Sequence, residues 1–297
     1  MLSQTLRRAG ATAAIAGMGV CVSPAPAAAG EAAAAPGIAW EETFPKALKQ
    51  ARKLGKPVMA DFWAEWCHWC EKLDRETYSD PAVIELSRRF VPVKVNTEGG
   101  LEEREITYEY GFVELPTIAF FSPAGHLLTR LERYQGPQDF LETLRGALEV
   151  AERVAAWERD LEAYDQATRA ASLAELGAHL FGQGRLDESR KLLEKAAKRD
   201  AARPVSARKA TRVDLGRIRL EQAKEKDAAR LAREALALEP AERAEDARAL
   251  VLLGSALHRA GDVEEARTAW ERALATDPDG AAAEEARAAL RAAGGSR

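Results

Sequence analysis

Apolar positions in residues 41–54, "EETFPKALKQARKL", recur at helical spacing, and Gly55 and Pro57 close the pattern. The run "PVMADFW" that follows is short and apolar, which predicts a buried strand. Helical patterning returns in "CEKLDRETY", so Cys67 and Cys70 fall in a tight turn between a strand and a helix. "SDPAVIELSRRF" reads as a fresh helix, with Ser79 or Asp80 as its N-cap and Pro81 at the first helical position, where a missing N–H loses no bond. "VPVKVN" predicts a second strand, "EEREITYEYGF" a helix ending at Gly111, and "TIAFF" a third strand. "SPAG" turns the chain into "HLLTRLERY", a hairpin partner, and residues 137 to about 165 are helical. Strand, helix, strand, helix, strand, strand, helix is the order of a small α/β domain, a mixed central sheet flanked by helices.

From about residue 170 aromatic and β-branched side chains thin out, and Ala, Leu, Glu and Arg follow a helical period. Leu-Gly pairs at 176–177, 215–216 and 253–254 bring three segments into register, about 170–203, 209–242 and 247–280. In the third, Leu250, Leu253, Gly254, Leu257, Gly261, Ala266, Trp270, Ala273 and Pro278 stand at the spacing of a tetratricopeptide repeat, which the segment resembles. The middle segment departs from that pattern at Arg219, where a bulky apolar residue is expected. The expectation is an all-α repeat domain over 170–280, with helix end and tail at 281–297; a plain helical bundle with accidental spacing is the alternative. Ala147, Val150, Val154, Trp157, Leu161 and Tyr164 form one helical stripe, which predicts a connecting helix over 149–169 that packs the two domains together.

The N-terminus is of a different kind. Arg7 and Arg8 precede an uncharged Ala/Gly-rich stretch and then "SPAPAAAG", the layout of a secretory signal peptide over 1–29 cut before Gly30, followed by a disordered Ala-rich segment at 30–37. Cys21 as an acylated lipoprotein cysteine is disfavoured, because Val20 stands where a small residue is wanted. The expected location is the periplasm or another extracytoplasmic space. With 46% hydrophobic residues in 297, the chain can bury two cores, and a net charge of −4 with interleaved signs gives no basic field for nucleic acid.

After signal cleavage Cys67 and Cys70 are the only cysteines, too few for a disulfide framework. A zinc site would need two further ligands, and the four histidines include only His68 nearby, badly placed to close a tetrahedron; no metal is expected. A purely structural disulfide between residues three apart would restrict the unfolded chain very little. The redox reading fits the context, since a cysteine at a helix start meets the positive end of the helix dipole and unpaired N–H groups, which favour the thiolate.

"DFWAEWC" resembles the active-site strand and turn of thioredoxins, and the likeness runs through "VPVKVN", "ELPTIAFF" and "YQGPQDFLETL" over residues 38–148. It looks closest to the thioredoxin-like C-terminal domain of the membrane disulfide reductase DsbD. The resemblance implies a thiol–disulfide oxidoreductase of the protein-disulfide reductase type, with Cys67 as nucleophile and Cys70 as resolving thiol. It makes Asp61 a buried carboxylate with Lys94 as its charge partner, and Pro116 a cis proline after Leu115, whose backbone pairs with substrate. Trp66 and Gly136 would shape the substrate groove. His68 and Trp69 replace the Gly-Pro of thioredoxin and would tune the redox poise. No cofactor is implied, because the dithiol carries the electrons. The expected partners are client proteins with disulfides, a membrane electron donor, and an unidentified protein on the repeats. A disulfide oxidase or isomerase, and a non-catalytic peptide-binding scaffold, are the rival readings.

Overall fold

The computed structural model describes residues 37–163 and 165–294. The signal-peptide reading, Cys21 and the Ala-rich segment up to residue 36 lie outside the described residues, as does Tyr164 of the predicted stripe.

Helix α1 (Phe44–Leu54) opens on Thr43, whose hydroxyl accepts from the Lys46 amide, and closes on Gly55 in the left-handed region at φ 65°. A glycine there has no Cβ to clash with the turning backbone. Strand β1 (Val58–Trp63) follows and is covered on both faces, as its short, mostly apolar run predicts. Strands β2 (Val91–Asn96), β3 (Thr117–Phe121) and β4 (Leu127–Leu131) complete one sheet in the order β2-β1-β3-β4. The β1–β2 pair is parallel, and the β1–β3 and β3–β4 pairs are antiparallel. Val58, Ala60 and Phe62 face a core with Phe44, Val93 and Phe121, while Met59 joins Leu73, Phe120, Phe140 and Leu144 in a second core.

One helix reading needs correction, and of the two N-caps offered for the next helix the structure selects Asp80. The helix after the cysteines is α2 (His68–Lys72) followed by a π turn over Leu73–Thr77, in which the Tyr78 amide reaches back to the Leu73 carbonyl. The wider turn brings Leu73 and Thr77 inward, and the Thr77 hydroxyl donates to the Gln135 carbonyl at 2.7 Å. The next helix, α3 (Pro81–Ser87), is capped by Asp80, whose carboxylate accepts from the Ala82 and Val83 amides; Ser79 turns instead to the Arg75 carbonyl. Helix α4 (Leu101–Tyr110) ends at Gly111, φ 68°, and buries none of its residues fully.

The predicted connecting helix is not continuous through 169. Helix α5 (Pro137–Asp160) stops at Asp160, and α6 (Gln166–Gly182) starts anew because the Asp165 carboxylate accepts from the Thr168 amide at 2.6 Å. The stripe does pack as expected of it: Val154, Val150, Trp157 and Leu161 meet Leu176 and Leu180 of α6 in the same core that holds Phe120 and Phe140. The α/β domain and the first helices beyond it therefore share one apolar interior.

Helices α6 and α7 (Leu186–Ala197), α8 (Val205–Glu221) and α9 (Glu225–Leu236), and α10 (Arg243–Ala260) and α11 (Val263–Thr276) form three pairs, followed by α12 (Ala281–Gly294). Each Leu-Gly glycine sits where a Cβ would strike a packed side chain: Leu193 over Gly177, Leu252 over Gly216, the Trp270 indole over Gly254. Arg219 replaces the expected apolar plug by reaching from α8 to α7, where it pairs with Glu194 at 3.0 Å.

Candidate functional site

Strand β1 ends at Trp63, and the chain turns so that the Cys67 amide donates to the Ala64 carbonyl at 3.0 Å. Cys67 is the N-cap of α2; its Sγ accepts from the Cys70 amide at 3.1 Å. One helical turn separates the two cysteines, with Cα atoms 5.2 Å apart, and they are joined as a disulfide. The pair is buried, whereas its neighbours Trp66 and Trp69 are 68% and 53% exposed, so apolar surface flanks the sulfurs on both sides.

The β1–β2 register sets Lys94 directly opposite Asp61. Asp61 is buried, and burial pushes its carboxyl up to about 6, against the pull of the Lys94 ammonium 3.1 Å from Oδ2. Neither carboxyl oxygen has a well-aligned hydrogen bond, since the ammonium also binds Asp74 Oδ1. The rings of Trp40, Tyr78 and Trp63 surround Lys94 Nζ at 5.2, 5.4 and 5.6 Å. Burial and the nearby carboxylates likewise raise the Tyr78 phenol well above its ordinary range.

The Leu115–Pro116 bond is cis. Leu115 borders two grooves. One of about 310 Å³ runs between Trp69, Pro116, Glu132, Arg133 and Tyr134. The other, about 720 Å³, is lined by Trp66, Glu98, Tyr108, Phe112 and Val113 among others. Trp66 Nε1 donates to Glu98 Oε1 at 2.8 Å, which fixes that indole across the second groove.

The structure thus joins Cys67 to Cys70, sets Trp66, Trp69, Leu115 and Pro116 in the walls of the two grooves, and brings Asp61 and Lys94 into one pair. Gly136 is the N-cap of α5 and lines neither groove; Tyr134, two residues earlier, holds the wall assigned to it. His68 extends into solvent, its Nδ1 3.7 Å from Glu71 Oε2. Sequence reasoning missed Tyr134, which lies 5.6 Å from the Trp69 ring and bonds Glu76, and the ring cage with Asp74 around Lys94. The signal that could have found Tyr134 is its place at the head of the matched "YQGPQDFLETL" segment.

Among the described residues no group of three or more His, Cys, Asp or Glu is arranged to hold a metal ion, and no helix is long and apolar enough to cross a membrane.

A parallel β1–β2 pair, a CxxC turn at its end and a cis proline heading β3 define a thioredoxin-like fold, here continued by helical pairs. Residues 44–148 match the family model of the thioredoxin-like domain, and residues 247–279 that of the tetratricopeptide repeat, so the chain joins a thioredoxin-like domain to a helical region with such a repeat. The thiol:disulfide interchange protein DsbD of Vibrio vulnificus (strain CMCP6) is 31% identical over 107 residues, 35% of this chain and 18% of that protein. DsbD of Salmonella typhi is 37% identical over 89 residues, 30% of this chain and 15% of that protein. The chain therefore spans less than a fifth of the length of these relatives. Among solved structures, a thioredoxin from Thermus thermophilus is similar over 39% of this chain and 90% of its own, with 30% identity and a TM-score of 0.36.

Proposed function

We propose that this chain is a thiol–disulfide oxidoreductase that reduces protein disulfides through Cys67 and Cys70. The observation that carries the reading is the joined pair at the start of α2, whose neighbours Trp66 and Trp69 each line a groove that Leu115 also borders. In the reduced state the Cys67 thiolate attacks one sulfur of a client disulfide, forming a mixed disulfide and releasing the other client sulfur as a thiol. The Cys70 thiolate then attacks Cys67 Sγ; the client leaves fully reduced and the Cys67–Cys70 disulfide remains. Asp61, whose carboxyl lies near neutrality, takes the Cys70 proton during that second step, and Lys94 limits how far burial raises it. Leu115 offers backbone to an extended client segment, and Trp66, Trp69 and Tyr134 form the apolar walls. A dithiol donor, in this reading a membrane protein, restores the two electrons. Export by residues 1–29 and a partner protein on the helical repeats complete the proposal.

Two measurements test it. Cys70→Ala should trap clients on Cys67 as adducts that dithiothreitol releases, and the absence of such adducts would reduce the domain to a peptide-binding module. Equilibration with glutathione should give a potential near thioredoxin's, about −270 mV; a value of about −120 to −180 mV would point to an oxidase or isomerase instead.

A further inference from the structure

Arg185 lies in the turn between α6 and α7, the first helical pair, yet its guanidinium is directed at the thioredoxin-like domain. Helix ends leave carbonyls without intrahelical partners. At the end of α4 the Phe112 amide takes the Thr107 carbonyl and the Gly111 amide takes the Tyr108 carbonyl. The Glu109 carbonyl accepts from Arg185 Nη1, while Nη2 stands 3.0 Å from Glu109 Oε1. The same guanidinium lies 4.1 Å over the Tyr110 ring, and Glu188 holds its Nε from behind at 2.6 Å. The Arg185 side chain is 14% exposed but that of Glu109 is 60%, so solvent screens the ion pair and the carbonyl bond and the ring contact carry the grip.

The contact bears on the site because of what α4 does next. The helix buries none of its own residues fully and is held to the domain through Ile106 and Tyr110, the latter edge-on to Phe121 and donating its hydroxyl to the Gly125 carbonyl, so what fixes Tyr110 fixes the helix. Tyr110 stacks on Phe112, Phe112 packs on Phe62 of β1, and the chain reaches Leu115 three residues later. Thr107, Tyr108, Gly111, Phe112, Val113 and Leu115 form one wall of the larger groove. Arg185 fastens the back of that wall.

We infer that Arg185 is a positioning residue: the first helical pair braces the α4–Leu115 wall so that it meets substrate in one conformation. The inference rests on the oxidoreductase reading above. The fork is essential, since it grips a carbonyl and a carboxylate while standing over a ring, which a lysine's single ammonium cannot do at once.

The test uses the full chain, Arg185→Gln and Arg185→Lys. In both variants amide exchange at residues 111–115 should quicken about tenfold, the scale of local opening when a few contacts are lost, while β1 amides stay protected. KM for a disulfide-linked peptide should rise about fivefold with kcat unchanged. The Cys67–Cys70 potential and the rate on hydroxyethyl disulfide, too small to span the groove, should not move. Wild-type exchange and KM in Arg185→Gln would overturn the inference, as would restoration by lysine. A uniform rise in exchange that includes β1 would also overturn it, by assigning Arg185 a general stabilising role. Inactivity of the parent on hydroxyethyl disulfide would count against the oxidoreductase reading alone; the exchange measurement then decides the brace by itself.

Discussion

Replacing Asp61 by Asn removes a carboxylate that the fold holds against its preference for water. Burial takes this group from an ordinary 3.8 to about 6, and at roughly 1.4 kcal/mol per tenfold change in acidity the difference is about 3 kcal/mol. The sign follows from proton uptake. The folded protein binds the Asp61 proton more tightly than the unfolded chain, so between about pH 4 and pH 6 stability falls as pH rises, and above the folded value the full loss persists. The amide side chain of the variant does not titrate and has no such dependence. The disulfide form of Asp61→Asn should therefore gain on its parent progressively from pH 4 to pH 7, by about 3 kcal/mol across the interval. The absolute gain at pH 8 should be smaller, about 1–2 kcal/mol, because the amide is buried without a partner and Lys94 keeps only Asp74. Urea unfolding of both proteins, followed by tryptophan fluorescence at several pH values, gives the difference directly, and other titrating groups cancel in it. A difference that stays flat between pH 4 and pH 7 would refute the assignment of a raised carboxyl to position 61.

Gly254→Ala places a methyl group against the Trp270 indole, and this overpacking should cost about 1–3 kcal/mol, read as a lowered melting midpoint. Arg219→Leu restores the apolar residue that the repeat pattern expects; the lost pair with Glu194 is half-exposed, so the melting midpoint should change by less than the equivalent of about 1 kcal/mol.

The strands were legible because β1 and β3 are buried on both faces and read as short, mostly apolar runs, with Asp61 the one charge in β1. The repeat pairs were legible because each needs a small residue beneath a large one, as at Gly254 and Trp270. What could not be read locally depends on register or on packing across the chain. Lys94 faces Asp61 only because β1 and β2 pair as they do, and family resemblance, not periodicity, suggested it. Trp40, Trp63 and Tyr78 come from three separate segments to surround Lys94, and nothing in their spacing announces a cage. The break at Leu161–Asp165 was hidden for another reason: the apolar stripe continues through it, while a single aspartate side chain decides where the next helix starts. Gly136 was assigned to the groove, yet it caps α5 and leaves that place to Tyr134.

The apolar interior shared by Leu144, Leu148 and Val154 with Leu176 and Leu180 has a consequence for biosynthesis. At 5–20 residues per second, a ribosome that has completed the sheet and Leu148 needs about 2–6 s more to deliver Leu180. During that interval the stripe of α5 has no cover, so the nascent chain offers a sticky helix to chaperones until the second half arrives. The same logic bears on where the protein can be divided: a cut after residue 148, at the family boundary, separates surfaces that were built to be inside, and a cut after α7 does so again, because Leu193 and Ala196 share a core with Leu215 and Ile218 of α8.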